Sequence, residues 1–188
     1  YPGKDGAFGR KYFMNIEDPS NALGLVWADT TIQRKDKEGN LVSEVKLKGD
    51  PAAKDDIVTQ EALYVVVNKP VKLIINSRDV IHDVGLSAFR LKMDAVPGTP
   101  TTMWFTPKYT TEEMKKIRND PDYEYEISCD QMCGNGHYSM RGIVKVVTQA
   151  EYTLWLAKQK SAYASVYGDS PAPAAADSSK SAASGSMP

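Results

Sequence analysis

Both cysteines of the chain, one of its two histidines and a methionine fall within a single stretch of twelve residues, CDQMCGNGHYSM, from Cys129 to Met140. The spacing is C-x3-C-x3-H-x2-M. Thiolate, imidazole and thioether together are a donor set that suits copper. One Cys, one His and a weak Met, with a second His from elsewhere, describe a single-copper site, and that recipe leaves one Cys over. Two thiolates can instead bridge two metal ions, with one His for each. The other histidine is available for this: His82, in SRDVIHDVGL. Gly134 and Gly136 let the loop fold back at little steric cost. Other chemistries stay open on these residues alone. Cys129 and Cys133 suit a disulfide or a pair of buried free thiols, and Cys2His2 can bind zinc tetrahedrally. A His far upstream and a Met at a ligand-like offset favour copper over zinc. Taken singly, His82 is an ordinary histidine and Met140 a core residue, so their joint occurrence carries the weight.

Such a loop needs a scaffold. Hydrophobic residues make up 41% and charged residues 25%, enough for a real core in a globular chain of 188 residues. A net charge of −1 argues against a general nucleic-acid binder. No apolar run approaches the roughly 18 residues of a membrane helix. The most apolar stretch, ALYVVVNKPVKLII, is broken by Asn68, Lys69 and Pro70 and reads as two strands with a turn. No signal peptide is visible. The chain starts at Tyr1 and not at a methionine, so that absence says little about a parent protein.

Strands are expected at 63–68, 71–76, 89–93, 101–106, 123–128 and 143–147, with a short one in KYFMNI. QRKDKEGN reads as an exposed turn and KGDPAAKDDIV as a polar connector. Thr110 with Glu113, and Thr148 with Glu151, fit capping boxes. The first opens a short surface helix, TTEEMKKIRND. The second opens a C-terminal helix carrying Tyr152, Trp155, Leu156 and Tyr163 at helical spacing. The expected organisation is an N-terminal segment (1–62), a β-rich domain with its C-terminal helix (63–167) and a disordered Ala/Ser/Pro-rich tail (168–188).

The loop resembles the copper-binding loop of the dinuclear Cu-A centre in subunit II of cytochrome c oxidase. Asp79-Val80-Ile81-His82 matches the family's D-V-x-H, and Lys92-Met93-Asp94-Ala95-Val96-Pro97-Gly98 its K-x-D-A-x-P-G. Trp104-Phe105 matches its aromatic strand, and His137 to Gly142 its H-x-x-M-x-G. The resemblance covers roughly residues 63 to 160. It implies an all-β, cupredoxin-like Greek-key sandwich or barrel with a short inserted helix and a C-terminal helix. It also implies two copper ions bridged by Cys129 and Cys133. His82 and Met140 would complete one copper, and His137 and the backbone carbonyl of Gln131 the other. The chain would then be a subunit of an oxidoreductase. It would take electrons from cytochrome c and pass them to haem in subunit I, with the oxygen chemistry done there. Its place would be the outer, periplasmic face of the bacterial inner membrane, held by N-terminal helices absent from these residues, as a soluble domain or fragment.

Three departures matter. Gln131 stands where the family often has a Glu that helps to bind magnesium against subunit I. A neutral amide is a weaker ligand for a hard cation, which weighs against magnesium there. The stretch from Phe105 to Tyr123 is longer than usual and carries the inserted helix. By the resemblance, the family's tryptophan for receiving electrons would precede YPGKDG and so lie outside these residues, while Trp104 reads as a core aromatic. Asp79, Asp83, Asp122, Glu124, Glu126 and Asp130 would suit a basic cytochrome c, or form an ordinary solvated edge beside Lys115, Lys116 and Arg118. No C-x-x-C-H occurs, so no c-type haem is fused. The alternatives are the Cu-A domain of a nitrous-oxide reductase, a copper-handling protein, and a structural sandwich that has lost its ligands.

Overall fold

The runs of β-branched residues do form strands. The computed structural model describes residues 1–12, 21 and 23–168. KYFMNI lies largely outside the described residues, as does the tail from 169 on. The described residues pack as two compact units, one within 59–159 and the other from 1–58 together with 160–168.

The unit of residues 59–159 holds the sandwich. Its strands are β3 (Ala62–Val66), β4 (Val71–Ile75), β5 (His82–Leu86), β6 (Leu91–Ala95), β7 (Thr101–Phe105), β8 (Tyr125–Ser128) and β9 (Arg141–Val147). Five of them form one sheet in the order β3-β9-β8-β5-β6, and β4 and β7 form a separate pair. β3 runs parallel to β9, and the other pairings are antiparallel. The turn after β3 therefore carries the chain between sheets and does not close a hairpin. Asn68 takes a left-handed φ of 58° there, and its N–H donates to Pro107 O at 2.8 Å.

Val65, Ile75, Leu86, Ala95, Met103, Phe105, Tyr125, Val144 and Val146 form the core of this unit. Both sheets contribute, which is the all-β, cupredoxin-like sandwich expected from the sequence. Phe89 stacks on Tyr125 with ring centroids 4.9 Å apart. Trp104 departs from expectation, being 73% exposed. Side chains alternate along β7, and Met103 and Phe105 take the inward positions. Trp104 is left to face outward opposite Lys72.

α1 (Thr111–Arg118) is the inserted helix, and α2 (Gln149–Lys158) follows β9. Both capping boxes form. α1 is pinned to the sheet by Thr111, 6% exposed, whose Oγ1 accepts the Val146 N–H at 3.0 Å. Thr111→Val keeps the shape but orphans that N–H. It is expected to cost about 1–3 kcal/mol, read as a lower urea midpoint at unchanged slope. A loss below about 0.5 kcal/mol, the range of an inert surface change, would refute the pin.

The C-terminal helix ends earlier than its apolar spacing implied. Gln159 is extended (φ −77°, ψ 142°), and Ser161 caps a new short helix, α3 (Ala162–Tyr167). In the other unit, Trp27 is buried, edge-on to Tyr163 and Tyr167 of α3, and its Nε1 donates to Ala53 O at 3.0 Å. The charged turn near Asp36 is present, but it joins two strands the sequence did not reveal, β1 (Thr30–Lys35) and β2 (Leu41–Leu47). The Asp36 carboxylate accepts the N–H groups of Glu38 and Asn40 and shapes that turn.

Candidate metal centre

β8 and β9 pair up to Ser128↔Arg141, so residues 129–140 form the loop between two hydrogen-bonded strands. The Cys129 N–H closes the loop base by donating to Met140 O at 3.1 Å. Within it, residues 137–139 form one 3-10 turn, with the His137 N–H donating to Gly134 O. Gly134 has a φ of 131°, which only glycine adopts readily, whereas Gly136, at −86°, does not need to be glycine.

His82 reaches the loop from another direction. It opens β5, and β5 lies beside β8 through Gly85↔Ser128. The connection before it is tied by Ser77, whose Oγ donates to Val80 O. Asp79 accepts from His82 Nε2 at 2.7 Å. This carboxylate fixes the tautomer and leaves Nδ1 free to act as a ligand. That Nδ1 lies 4.0 Å from Cys129 Sγ.

All six residues singled out from the sequence meet at the two sulfurs. Cys129 Sγ and Cys133 Sγ are 3.7 Å apart, and both thiols are free. Gln131 O is 3.3 Å from Cys129 Sγ. His137 Nδ1 is 3.6 Å, and Met140 Sδ 3.3 Å, from Cys133 Sγ. Donor atoms of His82, Cys129 and Cys133 all lie within 4.8 Å of one another, as a shared metal requires. An ion bonded to both sulfurs at about 2.3 Å needs them no more than about 4.6 Å apart, so the pair fits. The donor set, two thiols, two imidazoles, a thioether and a carbonyl, has the softness of a copper site.

Burial raises the Cys129 thiol, but hydrogen bonds from the backbone at Asp83 and Gln131 and from His137 and His82 outweigh it and hold the thiol at about 6. Burial and the neighbouring Cys129 sulfur push Cys133 upward. The six acidic residues do not form one exposed patch. Asp83 is 4% exposed, and Glu126 is paired with Arg141.

The hydrogen bond to Asp79 raises His82 above its usual 6.5, and the same bond lowers Asp79 to about 2. The sign follows. In the metal-free protein, His82's share of the pair's stabilisation is full below pH 6.5 and fades as pH rises through its raised pKa. Asp79's share is present above its usual 3.8 and fades as pH falls toward 2. Asp79→Asn is expected to bring the His82 ring titration, followed by NMR, back toward 6.5. An unchanged midpoint would rule out the pair.

The family model for the cytochrome C oxidase subunit II periplasmic domain matches residues 36–147. An alternative cytochrome c oxidase subunit 2 from Bradyrhizobium diazoefficiens is 34% identical over 160 residues, covering 85% of this chain and 46% of the relative. The cytochrome c oxidase subunit 2 of Thermostichus vulcanus is 35% identical over 101 residues, 54% of this chain and 27% of the relative. The chain thus spans less than half the length of these relatives. Among solved structures, the periplasmic domain of subunit II of cytochrome oxidase of Bradyrhizobium japonicum aligns at a TM-score of 0.45 and 24% identity, over 57% of this chain and 80% of that one. No helix among the described residues is long and apolar enough to cross a membrane. The family model spans more than half the chain and includes the whole cysteine loop, and on that ground the chain belongs to the family of cytochrome c oxidase subunit II periplasmic domains.

Proposed function

We propose that this chain is the domain that receives electrons in a haem-copper terminal oxidase, holding two copper ions between Cys129 and Cys133 and passing electrons to haem in subunit I. One observation carries the reading. Two free thiols stand 3.7 Å apart, with His82, His137, Met140 and the Gln131 carbonyl each within 4.0 Å of one of them. Bound there, copper supplies one-electron exchange. The chain's own residues do the rest. Cys129 and Cys133 would hold the copper through two thiolate sulfurs, soft donors that suit it. His82, His137, Met140 and the Gln131 carbonyl would supply the remaining donors. The Asp79 carboxylate holds the His82 ring so that no reorientation is needed. Gln131 presents a neutral amide, so this chain offers a magnesium ion at the subunit I interface no carboxylate from that position.

Around the loop, Val80, Ile81, Met132 and Tyr138 are exposed. They give the mouth of the site an apolar surface of the kind an electron-transfer partner covers. Cytochrome c as donor and subunit I as acceptor are the partners this reading assigns, with the domain on the periplasmic face of the membrane.

The test is an electron paramagnetic resonance spectrum of the copper-loaded chain, with copper stoichiometry and circular dichroism on the same sample. Hyperfine structure from one electron shared by two coppers, at two coppers per chain, is the expected result. A single-copper spectrum, or no copper in a folded sample, would overturn the assignment in favour of copper handling.

A further inference from the structure

Asp83 is an odd residue to find inside this fold. It is 4% exposed, and its Oδ2 is buried without a partner among the described residues. Burying a carboxylate with an unsatisfied oxygen is costly. A residue kept at that cost should make a contact that a well-packed apolar side chain cannot.

That contact is with the cysteine loop. β5 and β8 pair only at Gly85↔Ser128. Two residues further along each strand, Asp83 comes opposite Asp130, where ladder pairing has ended. There the side chain takes over. Asp83 Oδ1 accepts the Asp130 N–H at 3.4 Å. The Asp130 side chain lies back across β5. Ser128 Oγ donates to Asp130 Oδ1 at 3.1 Å, and a Cβ at Gly85 would stand 2.4 Å from Asp130 Oδ2. Asp130 sits between Cys129 and Gln131, so whatever holds its N–H sets the direction of both the Cys129 sulfur and the Gln131 carbonyl.

We propose that Asp83 is a positioning residue of the metal loop, its buried carboxylate fastening the Cys129–Gln131 segment to β5 before any metal arrives. This rests on the reading of that loop as the copper site. The fastening prepares the loop. With Asp130 tied down, Cys129 faces His82 and Gln131 O stays 3.3 Å from the sulfur. Fewer loop conformations remain to be lost on metal binding.

The experiment uses the full chain, metal-free and then copper-loaded. Amide hydrogen exchange at Asp130 should quicken about tenfold in Asp83→Ala, the scale of one lost hydrogen bond to a charged group. It should stay within about threefold of the parent in Asp83→Asn, whose carbonyl can still accept. Copper-loaded Asp83→Ala should show altered hyperfine splitting, with Asp83→Asn restoring the parent spectrum, a rescue that a mere packing role would not give. If Asp83→Ala does not fold, Asp83→Ser replaces it, since its hydroxyl is too short to reach. Unchanged exchange in a folded Ala or Ser variant, or an Asn variant as fast as either, overturns the proposal. Exchange is read without metal, so the two failures separate. A parent chain without a two-copper spectrum sinks the copper reading, while normal copper with unchanged exchange sinks only the role of Asp83.

Discussion

Replacing Cys133 by serine is expected to drop copper from two ions per chain to at most one and to abolish the hyperfine pattern of an electron shared between two metals. Cys133 is the junction of the site. Its sulfur lies 3.7 Å from Cys129 Sγ, 3.6 Å from His137 Nδ1 and 3.3 Å from Met140 Sδ. A serine hydroxyl is a hard, neutral donor that copper binds weakly, so the variant loses one bridge outright. Cys129 with His82 and Met140 then form at best a one-copper set. Folding should survive. Cys133 is only half-buried, in a loop whose ends are tied by the Cys129 N–H bond to Met140 O and by the β8–β9 ladder. A variant that keeps two coppers and the shared-electron spectrum would end the bridging assignment.

The second large effect concerns the scaffold. Leu86→Ala is expected to destabilise the chain by about 2–5 kcal/mol, the cost of removing a fully enclosed leucine and leaving a cavity. Leu86 is 0% exposed and lies in the core beside Val144 and Val146. It also belongs to β5, the strand that delivers His82 and Asp83 to the loop. Against a total of about 5–15 kcal/mol, such a loss should lower the urea midpoint sharply at unchanged slope. Copper bound by the remaining folded fraction should keep the parent spectrum, because the cavity lies in the core and not among the ligands. A loss under about 1 kcal/mol would mean that this side chain is not enclosed as described.

The two histidines show how far a sequence reaches. His137 is four residues from Cys133, so local chain geometry alone keeps it near, and the loop motif disclosed it directly. His82 is 47 residues from Cys129, and nothing local brings them together. Their approach depends on β5 lying against β8. Yet β5 itself escaped a reading by propensity. HDVGL contains Asp and Gly, both poor strand formers. It is a strand because neighbours on both sides bury Asp83, Gly85 and Leu86, and tertiary burial overrides local preference. Trp104 shows the converse. Its chemistry suggested the core, and a register shared with Met103 and Phe105 turned it outward. β1 and β2 escaped for a simpler reason: β1, TTIQRK, is mostly polar, and most of β2 is exposed, so no clear buried face marks them.

By itself the sequence determined the candidate donor types, their spacing within the loop, both capping boxes and the β-rich character of the chain. These are local properties, set by which side chains sit three, four or seven positions apart. Tertiary structure alone decided that His82 and Asp79 meet the loop and that β3 and β4 part into different sheets. It also decided that the long C-terminal helix breaks at Gln159, and that a buried Asp83 faces Asp130. Each of these depends on strand order and on what covers a residue from a distant part of the chain. Such information resides in the packing of many residues at once, not in any one stretch of them.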